Sequence, residues 1–339
     1  MDASTPDERL VEAGAAALVP VPQSSSELSA DKRAELLDLV AAMDDYAAAA
    51  QAANTTRAYS SDWRQFESWC SRYGLAALPA EPQTAALYLT WLARRGLKLS
   101  TVRRRAAAIT RAHRVAGLGS PVWDPRVITV LEGIARTVGA APAKKVALLR
   151  DPLLATIAQI DVETSSGLRD RALLLVGFAL GLRRSELVAL TVEDLSPAAD
   201  GMLVLVSKSK TDQVGVGQRL LLVYAEAPRP CAVRALRAWL DHSGLTTGPL
   251  FRRVTRTDAI SSPLSAQSVA LIVKRRVKAA GLDPAAFAGH SLRSGFATQA
   301  ARDGHRAEQI ADVTRHRDRR VLDGYLQAGR GAADVARVL

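Results

Sequence analysis

At Gly139-Ala140-Ala141-Pro142-Ala143-Lys144-Lys145 the helical patterning of the chain stops. Small residues leave the backbone unguided and a proline denies a helix its amide, so residues 139–147 read as a linker. With 339 residues the chain can bury a sizeable core on each side of that break. Two units are therefore expected, 54–138 and 148–339, preceded by an acidic tail and helix over 1–53.

Upstream, residues 1–29 are rich in Ser, Pro and Ala and predict a loose tail. From Ala30 to about Ala53 the apolar spacing of Leu36, Leu37, Val40 and Met43 turns helical. Asn54-Thr55-Thr56 offers an N-cap for a helix carrying Tyr59, Trp63, Phe66, Trp69 and Cys70. Those aromatics recur at three- and four-residue intervals, which makes them core rather than a base-stacking platform. Helices are also predicted from Thr84 to Arg95, after a cap at Ser100, and from about Pro125 to Val138.

Charge narrows the partner. The net charge is +11, yet residues 1–53 carry ten acids against Arg9, Lys32 and Arg33. That leaves +18 on the remainder, and a body this basic points to a polyanion such as nucleic acid. Eight Lys/Arg and no acid lie between Arg94 and Arg114. Val102, Ala106, Ile109 and Ala112 form an apolar stripe there, so Arg103, Arg104, Arg105 and Arg111 are expected to face outward and contact DNA phosphates. Lys144 and Lys145 would suit a strap crossing a duplex.

Other partners have little support in the residues. Cys70 and Cys231 are too few and too far apart for a disulfide framework or a metal spacing. The first residues lack the basic and apolar regions of a signal peptide, and the longest apolar run, Ala172 to Leu182, is too short to span a bilayer. The expectation is a cytoplasmic protein with no membrane partner, nucleoid-associated in a bacterium.

Downstream, helices are predicted at about 151–160, 168–180, 229–242 and 265–280, and they dominate from 290 to the end. Met202 to Val206 and Arg219 to Val223 are β-like runs with Gly215 and Gly217 between them, which predicts a hairpin and one small sheet.

The chemistry gathers in this second unit. Gly289-His290-Ser291-Leu292-Arg293-Ser294-Gly295 places a histidine and an arginine three apart on one helical face, where both reach one anion. Gly181-Leu182-Arg183-Arg184-Ser185-Glu186-Leu187 follows an apolar helix; Arg183 leaves the core at a fixed point, Gly181 permits close backbone approach, and Glu186 could steady the guanidinium. Attack on a phosphodiester without a metal needs a nucleophile, positive charge on the non-bridging oxygens, and a proton for the leaving oxygen. Arginine meets the second need, because its planar fork stays charged and binds phosphate bidentately. Lys208 or Lys210, two apart on one face of the hairpin, could deliver the proton. Tyr325 is the candidate nucleophile. On a regular helix His316 and Tyr325 fall on opposite faces, so they meet only if the chain bends, and Gly324 offers a break.

Taken together these motifs resemble the tyrosine recombinases of the phage-integrase class, in a layout like Cre-type and Xer-type enzymes. The resemblance spans about Asn54 to Ala328 and rests on the Gly181–Leu187 motif, Lys208-Ser209-Lys210-Thr211, His290-Ser291-Leu292-Arg293, and His316 followed by Tyr325. It implies a mainly α protein with a small antiparallel β-sheet, built as a two-domain C-shaped DNA clamp from a SAM-like helical core-binding domain and a catalytic domain. It implies that Arg183 and Arg293 clamp the phosphate, Lys210 acts as general acid, and His290 and His316 assist proton transfer. Tyr325 would form a 3′-phosphotyrosine with neither ATP, metal nor other cofactor. The partner would be double-stranded DNA with specific recombination sites, bound by a tetramer whose C-terminal helix, here 331–339, docks into a neighbour.

Leu180 stands where that family often has Thr, and Thr314-Arg315 replaces its common Leu-Gly before His316. A type IB topoisomerase-like relaxase shares the chemistry. A non-catalytic DNA-binding architectural or regulatory protein would have no need of the whole Arg-Lys-His-Arg-His-Tyr set.

Overall fold

In the computed structural model the chain is described over residues 53–139, 145–207, 217–226, 229–316 and 322–326, and at scattered helical positions between 31 and 42. The 1–29 tail, Lys144, Lys208, Lys210, Gly215 and the 331–339 segment lie outside the described residues. Contacts between α-carbons divide the chain into two units, Met1–Pro142 and Ala143–Leu339. Both are mainly helical, and the second also carries small antiparallel sheets.

From Ala53 onward the first unit carries α1 (Ala53–Arg72), α2 (Pro82–Arg94), α3 (Leu99–Val115) and α4 (Pro125–Val138). The aromatic spacing of α1 is core spacing, since Trp63, Phe66, Trp69 and Cys70 are all buried. Phe66 meets Tyr88 of α2 edge-on at 5.0 Å between ring centroids, a geometry in which a positive ring edge faces a negative ring face. α4 starts where Asp124 accepts the amide of Arg126 and Pro125 presets the first turn. α3 begins one residue before the expected Ser100 cap, with Lys98 at the cap position and no side-chain cap bond.

The basic face of α3 differs from its sequence expectation. Arg104 forks onto Asp62 of α1, with Nε and Nη2 at 2.7 and 3.0 Å from the two carboxylate oxygens. Arg105 donates to the Tyr88 hydroxyl at 2.9 Å and lies 3.6 Å from the same carboxylate. An absence of acids within α3 suggested free arginines, but the acid comes from a neighbouring helix 42 residues upstream of Arg104. His113 is also interior: Nδ1 lies 2.9 Å from the Ile109 carbonyl and Nε2 accepts the Ala80 amide. Arg103 keeps an exposed side chain.

At the centre of the second unit lies α6 (Ser165–Ala179), after α5 (Arg150–Ala158). Ala172, Leu173, Leu174 and Val176 are fully buried, so the C-terminal half of α6 is apolar on every side, as a helix enclosed by neighbours must be. Each such leucine contributes roughly 1.5–3 kcal/mol through burial. α8 (Ala232–Ser243), α7 (Arg184–Ala189) and α10 (Ser291–Arg302) pack on it. α9 (Ala266–Ala279) is tied in by charge: Asp170 of α6, fully buried, accepts from Arg169, Arg275 and Arg276. Part of the basic surplus is therefore structural.

The expected hairpin is present as β2 (Gly201–Val206) and β3 (Gln218–Val223), but β1 (Leu195–Ala198) adds an edge strand on β2. Pro197 hid that strand in the sequence, and an edge is where a sheet tolerates proline. A second sheet, β4 (Arg252–Val254) with β5 (Ile260–Pro263), was also missed, because three- and four-residue strands carry no readable period.

Candidate active site

Three chain segments of the second unit converge at one place. The first is the exit of α6. Gly181 turns there with φ +53°, and a Cβ on it would lie 3.0 Å from the Thr314 side chain and 3.2 Å from Phe296. This is the close approach that glycine permits. Arg183 then takes the N-cap position of α7, and Glu186 accepts its amide at 2.8 Å as well as its guanidinium Nη1.

The second segment is the start of α10, with His290 at its N-cap and Arg293 inside its first turn. Arg293 is fully buried; Nη1 donates to the Gly181 carbonyl at 2.7 Å, while Nε and Nη2 have no partner among the described residues. Gly295 serves packing rather than an anion, since a Cβ there would sit 2.0 Å from the Leu148 carbonyl oxygen.

The third is the end of α11 (Ala307–Thr314) and the helical turn 322–326. Among the described residues the chain bends at Arg315, which is left-handed (φ 58°, ψ 44°), whereas Gly324 sits within helix. The His316 and Tyr325 rings lie 5.6 Å apart between centroids, and the connecting residues 317–321 fall outside the described ones. The Tyr325 hydroxyl lies 2.9 Å from His290 Nε2.

Arg183, Glu186, His290, Arg293, His316 and Tyr325 thus meet in one place. Lys210 and its alternative Lys208 lie outside the described residues. Two further residues join. Arg315 places Nη2 2.7 Å from Glu186 Oε2 and accepts Arg183 Nη2 on its carbonyl at 3.4 Å. Thr314 lies 2.7 Å from His316 Nδ1. Thr314 and Arg315 both stood out as departures from the resembled motif, but the departure did not reveal the contacts they make.

Three guanidiniums and one carboxylate leave the site positive, which suits an anion. Burial works against the Glu186 charge, but Arg315 and Arg183 outweigh it and hold the carboxyl below its ordinary 4.5. Desolvation, then repulsion from Arg183, lowers Arg293 to about 9. Withdrawal from water, then the charges of Arg293 and Arg183, lowers His316 to about 4, and the same causes lower His290. Desolvation raises Tyr325, opposed by Arg293 and Arg183. Both histidines are therefore neutral proton acceptors near pH 7, beside a phenol that keeps its proton until attack. Among the described residues no three His, Cys, Asp or Glu side chains gather as a metal site would need. Ser165, His242 and Asp258 form a cluster, but Asp258 accepts the Ser165 hydroxyl and the amides of Ser165 and Ser166, so it caps α6.

These shifts give stability a sign. A folded histidine pKa below 6.5 means that the unfolded chain binds more protons as pH falls past that value. Stability is then lost from about pH 6.5 downward, with the His316 contribution levelling near pH 4 and Glu186 adding loss below 4.5. Urea midpoints measured from pH 7.5 to 4.5 are expected to fall, and to fall less steeply in His316→Gln. A profile that is flat, or unchanged by the substitution, would contradict this.

The family model described as the phage integrase family matches residues 151–330. An integrase/recombinase XerD homolog of Selenomonas ruminantium is 41% identical over 290 residues, covering 84% of this chain and 85% of that protein. Among solved structures, the XerH site-specific recombinase in a post-cleavage complex with a palindromic difH substrate superposes with a TM-score of 0.65 at 16% identity, covering 98% and 94% of the two chains. A lambda integrase tetramer bound to a Holliday junction gives 0.54 at 19% identity, over 83% and 73%. At such identities the structural likeness is one of fold.

Proposed function

From the premise that this chain belongs to the phage integrase family and is a tyrosine-type site-specific recombinase, we propose that it cuts and rejoins DNA through a 3′-phosphotyrosine at Tyr325. The observation that carries this reading is the pairing of a Tyr325 hydroxyl on His290 Nε2 with two donor nitrogens of buried Arg293 that have no partner among the described residues. A phosphodiester satisfies both: phosphorus for the phenol oxygen, non-bridging oxygens for the guanidinium.

In the step we infer, Tyr325 attacks phosphorus while its proton passes to His290 Nε2. Arg293 and Arg183 take the charge that builds on the non-bridging oxygens, with Glu186 holding Arg183 in place. The 5′ oxygen leaves with a proton from Lys210, the role the motif assigns it. The phosphotyrosine keeps the bond energy, and a 5′-hydroxyl from a partner strand reverses the step to join a new pair of ends. By analogy with the lambda integrase tetramer, the working form would be a tetramer on two duplex sites. Both units would contact DNA, and the location would be cytoplasmic; among the described residues no helix is long and apolar enough to cross a membrane. Trapping on nicked duplexes taken from around the protein's own gene tests the chemistry: a denaturation-resistant protein–DNA adduct is expected, and its absence from both these and randomised nicked duplexes would refute covalent catalysis.

Binding by the first unit has a separate signature. Arg103→Gln removes an exposed charge, so the slope of log K against log salt is expected to drop by about 0.9 for each phosphate that is no longer neutralised, with the fold unchanged. Arg104→Ala instead strips the fork from Asp62, whose side chain is only 2% exposed. It should destabilise the unit by roughly 1–3 kcal/mol, the cost of a weakened buried charge pair. Thermal melts and salt-dependent binding on both variants distinguish the two roles; an unchanged slope in Arg103→Gln would take that residue off the DNA.

A further inference from the structure

We infer that Thr314 is a positioning residue that fixes His316 as the Nδ1–H tautomer, leaving the Nε2 lone pair as the ring's free acceptor. The geometry carries it. Thr314 is fully buried, and its Oγ1 lies 2.6 Å from the Ile310 carbonyl oxygen and 2.7 Å from His316 Nδ1. A hydroxyl has one proton, and a carbonyl can only accept. Two oxygens at 2.6 Å need that proton between them, so it goes to Ile310. Towards His316 the hydroxyl therefore has only lone pairs, and Nδ1 must bring the hydrogen. One ring nitrogen is thus spoken for by a residue two positions away on the chain.

The consequence lies at the other nitrogen and rests on the recombinase reading. The ring is surrounded by the cationic side chains of Arg293, Arg183 and Arg315 and by His290, with Tyr325 beside it. That company keeps it neutral, as does its partial removal from water. Locked as Nδ1–H, a neutral His316 accepts a proton at Nε2 and cannot donate there to a phosphate oxygen. Only after taking a proton would it become a donor at both nitrogens, with Nδ1–H still on Thr314. His316 then meets the reacting groups with an acceptor rather than a donor at Nε2, and Thr314 sets that polarity. Without the hydroxyl, Nδ1–H would be an unpaired buried donor, which favours the opposite tautomer.

The test is direct because imidazole nitrogen shifts report tautomers without any reaction. Full-length protein labelled with 15N-histidine contains five histidines, and His316→Asn identifies the one of interest. In the wild type, His316 Nδ1 is expected to show the protonated shift and Nε2 the lone-pair shift. Thr314→Val, close in size and lacking the hydroxyl, is expected to move the population towards Nε2–H and to slow adduct formation on a nicked duplex about 10- to 100-fold, as loss of an orienting outer partner does. Thr314→Ser is expected to restore the shifts and most of the rate. The signals of His242, which belongs to the same unit and has Nε2 2.7 Å from Ser165 Oγ, serve as the folding control for Thr314→Val, and the Ser variant carries the test if that control fails. A wild-type Nε2–H signal, a Val variant that keeps Nδ1–H, or unchanged cleavage in a Val variant whose tautomer has moved would each overturn the proposal. If the wild type forms no adduct on any duplex, the recombinase reading fails, while the shifts still decide whether Thr314 sets the tautomer.

Discussion

Tyr325→Phe is expected to lose covalent attachment to DNA by at least a factor of about 10³, the scale on which removing a nucleophile acts, while DNA affinity stays within about twofold. The substitution deletes one oxygen. The ring, half-buried against the small cluster that includes Leu322, Ala301 and Ile310, keeps its packing. His290 loses a partner at 2.9 Å, but it sits where water can replace the phenol. The stability change is therefore that of one neutral hydrogen bond, about 1 kcal/mol. Affinity should hardly move, because it comes from phosphate contacts to arginines and lysines that the change does not touch. Gel-resolved adducts after denaturation, with binding measured alongside, separate the two quantities. An adduct that persists in the Phe variant would place the nucleophile elsewhere. The wild type has six tyrosines, and Tyr88 is ruled out by its full burial in the first unit.

What could be read from the sequence depended on how far the physics reaches along the chain. Helix periods are local, so α2, α4, α8 and α9 fell within a few residues of their expected spans. The Arg183, His290 and Arg293 sites follow from helix ends that glycines and apolar runs announce. What failed was long-range or conformational. The partner of Arg104 is an aspartate on another helix, which no inspection of α3 would find. The turn that ends α11 just before His316 falls at an arginine in the left-handed region, a conformation that costs a non-glycine residue about 1–2 kcal/mol and has no sequence marker. Arg315 can occupy it because Glu186 and the Val313 carbonyl hold its guanidinium. The sharing of one buried carboxylate by Arg183 and Arg315 is likewise a tertiary fact, visible only when the start of α7 meets the end of α11.

Arg293→Met is expected to raise thermal stability while reducing cleavage about 10³-fold, the loss caused by removing a principal donor to the transition-state charge. The opposite signs follow from one arrangement. Arg293 is wholly buried, two of its donor nitrogens have no partner among the described residues, and its nearest charges include two other guanidiniums against the single carboxylate of Glu186. Repulsion and lost hydration hold its pKa to about 9, which is a statement that the folded chain resists its charge. Methionine fills a similar volume without that charge. It leaves the Gly181 carbonyl without its donor, a cost of about 1–2 kcal/mol, against a gain of about 1–4 kcal/mol for exchanging a poorly paired buried ion for an apolar chain. The expected balance is about 1–2 kcal/mol in favour of the variant, or a few degrees in melting temperature for a unit of this size. The same logic gives a control: an oxyanion that fills the orphaned donors, sulfate or a DNA phosphate, should raise the melting temperature of the wild type and not of the variant. Arg293→Lys, which keeps the charge and loses the fork, should show neither the stabilisation nor the activity. A variant that melts several degrees lower, or one that still cleaves, would mean that these buried N–H groups are not the seat of the phosphate, and the guanidinium would then have to be explained by packing alone.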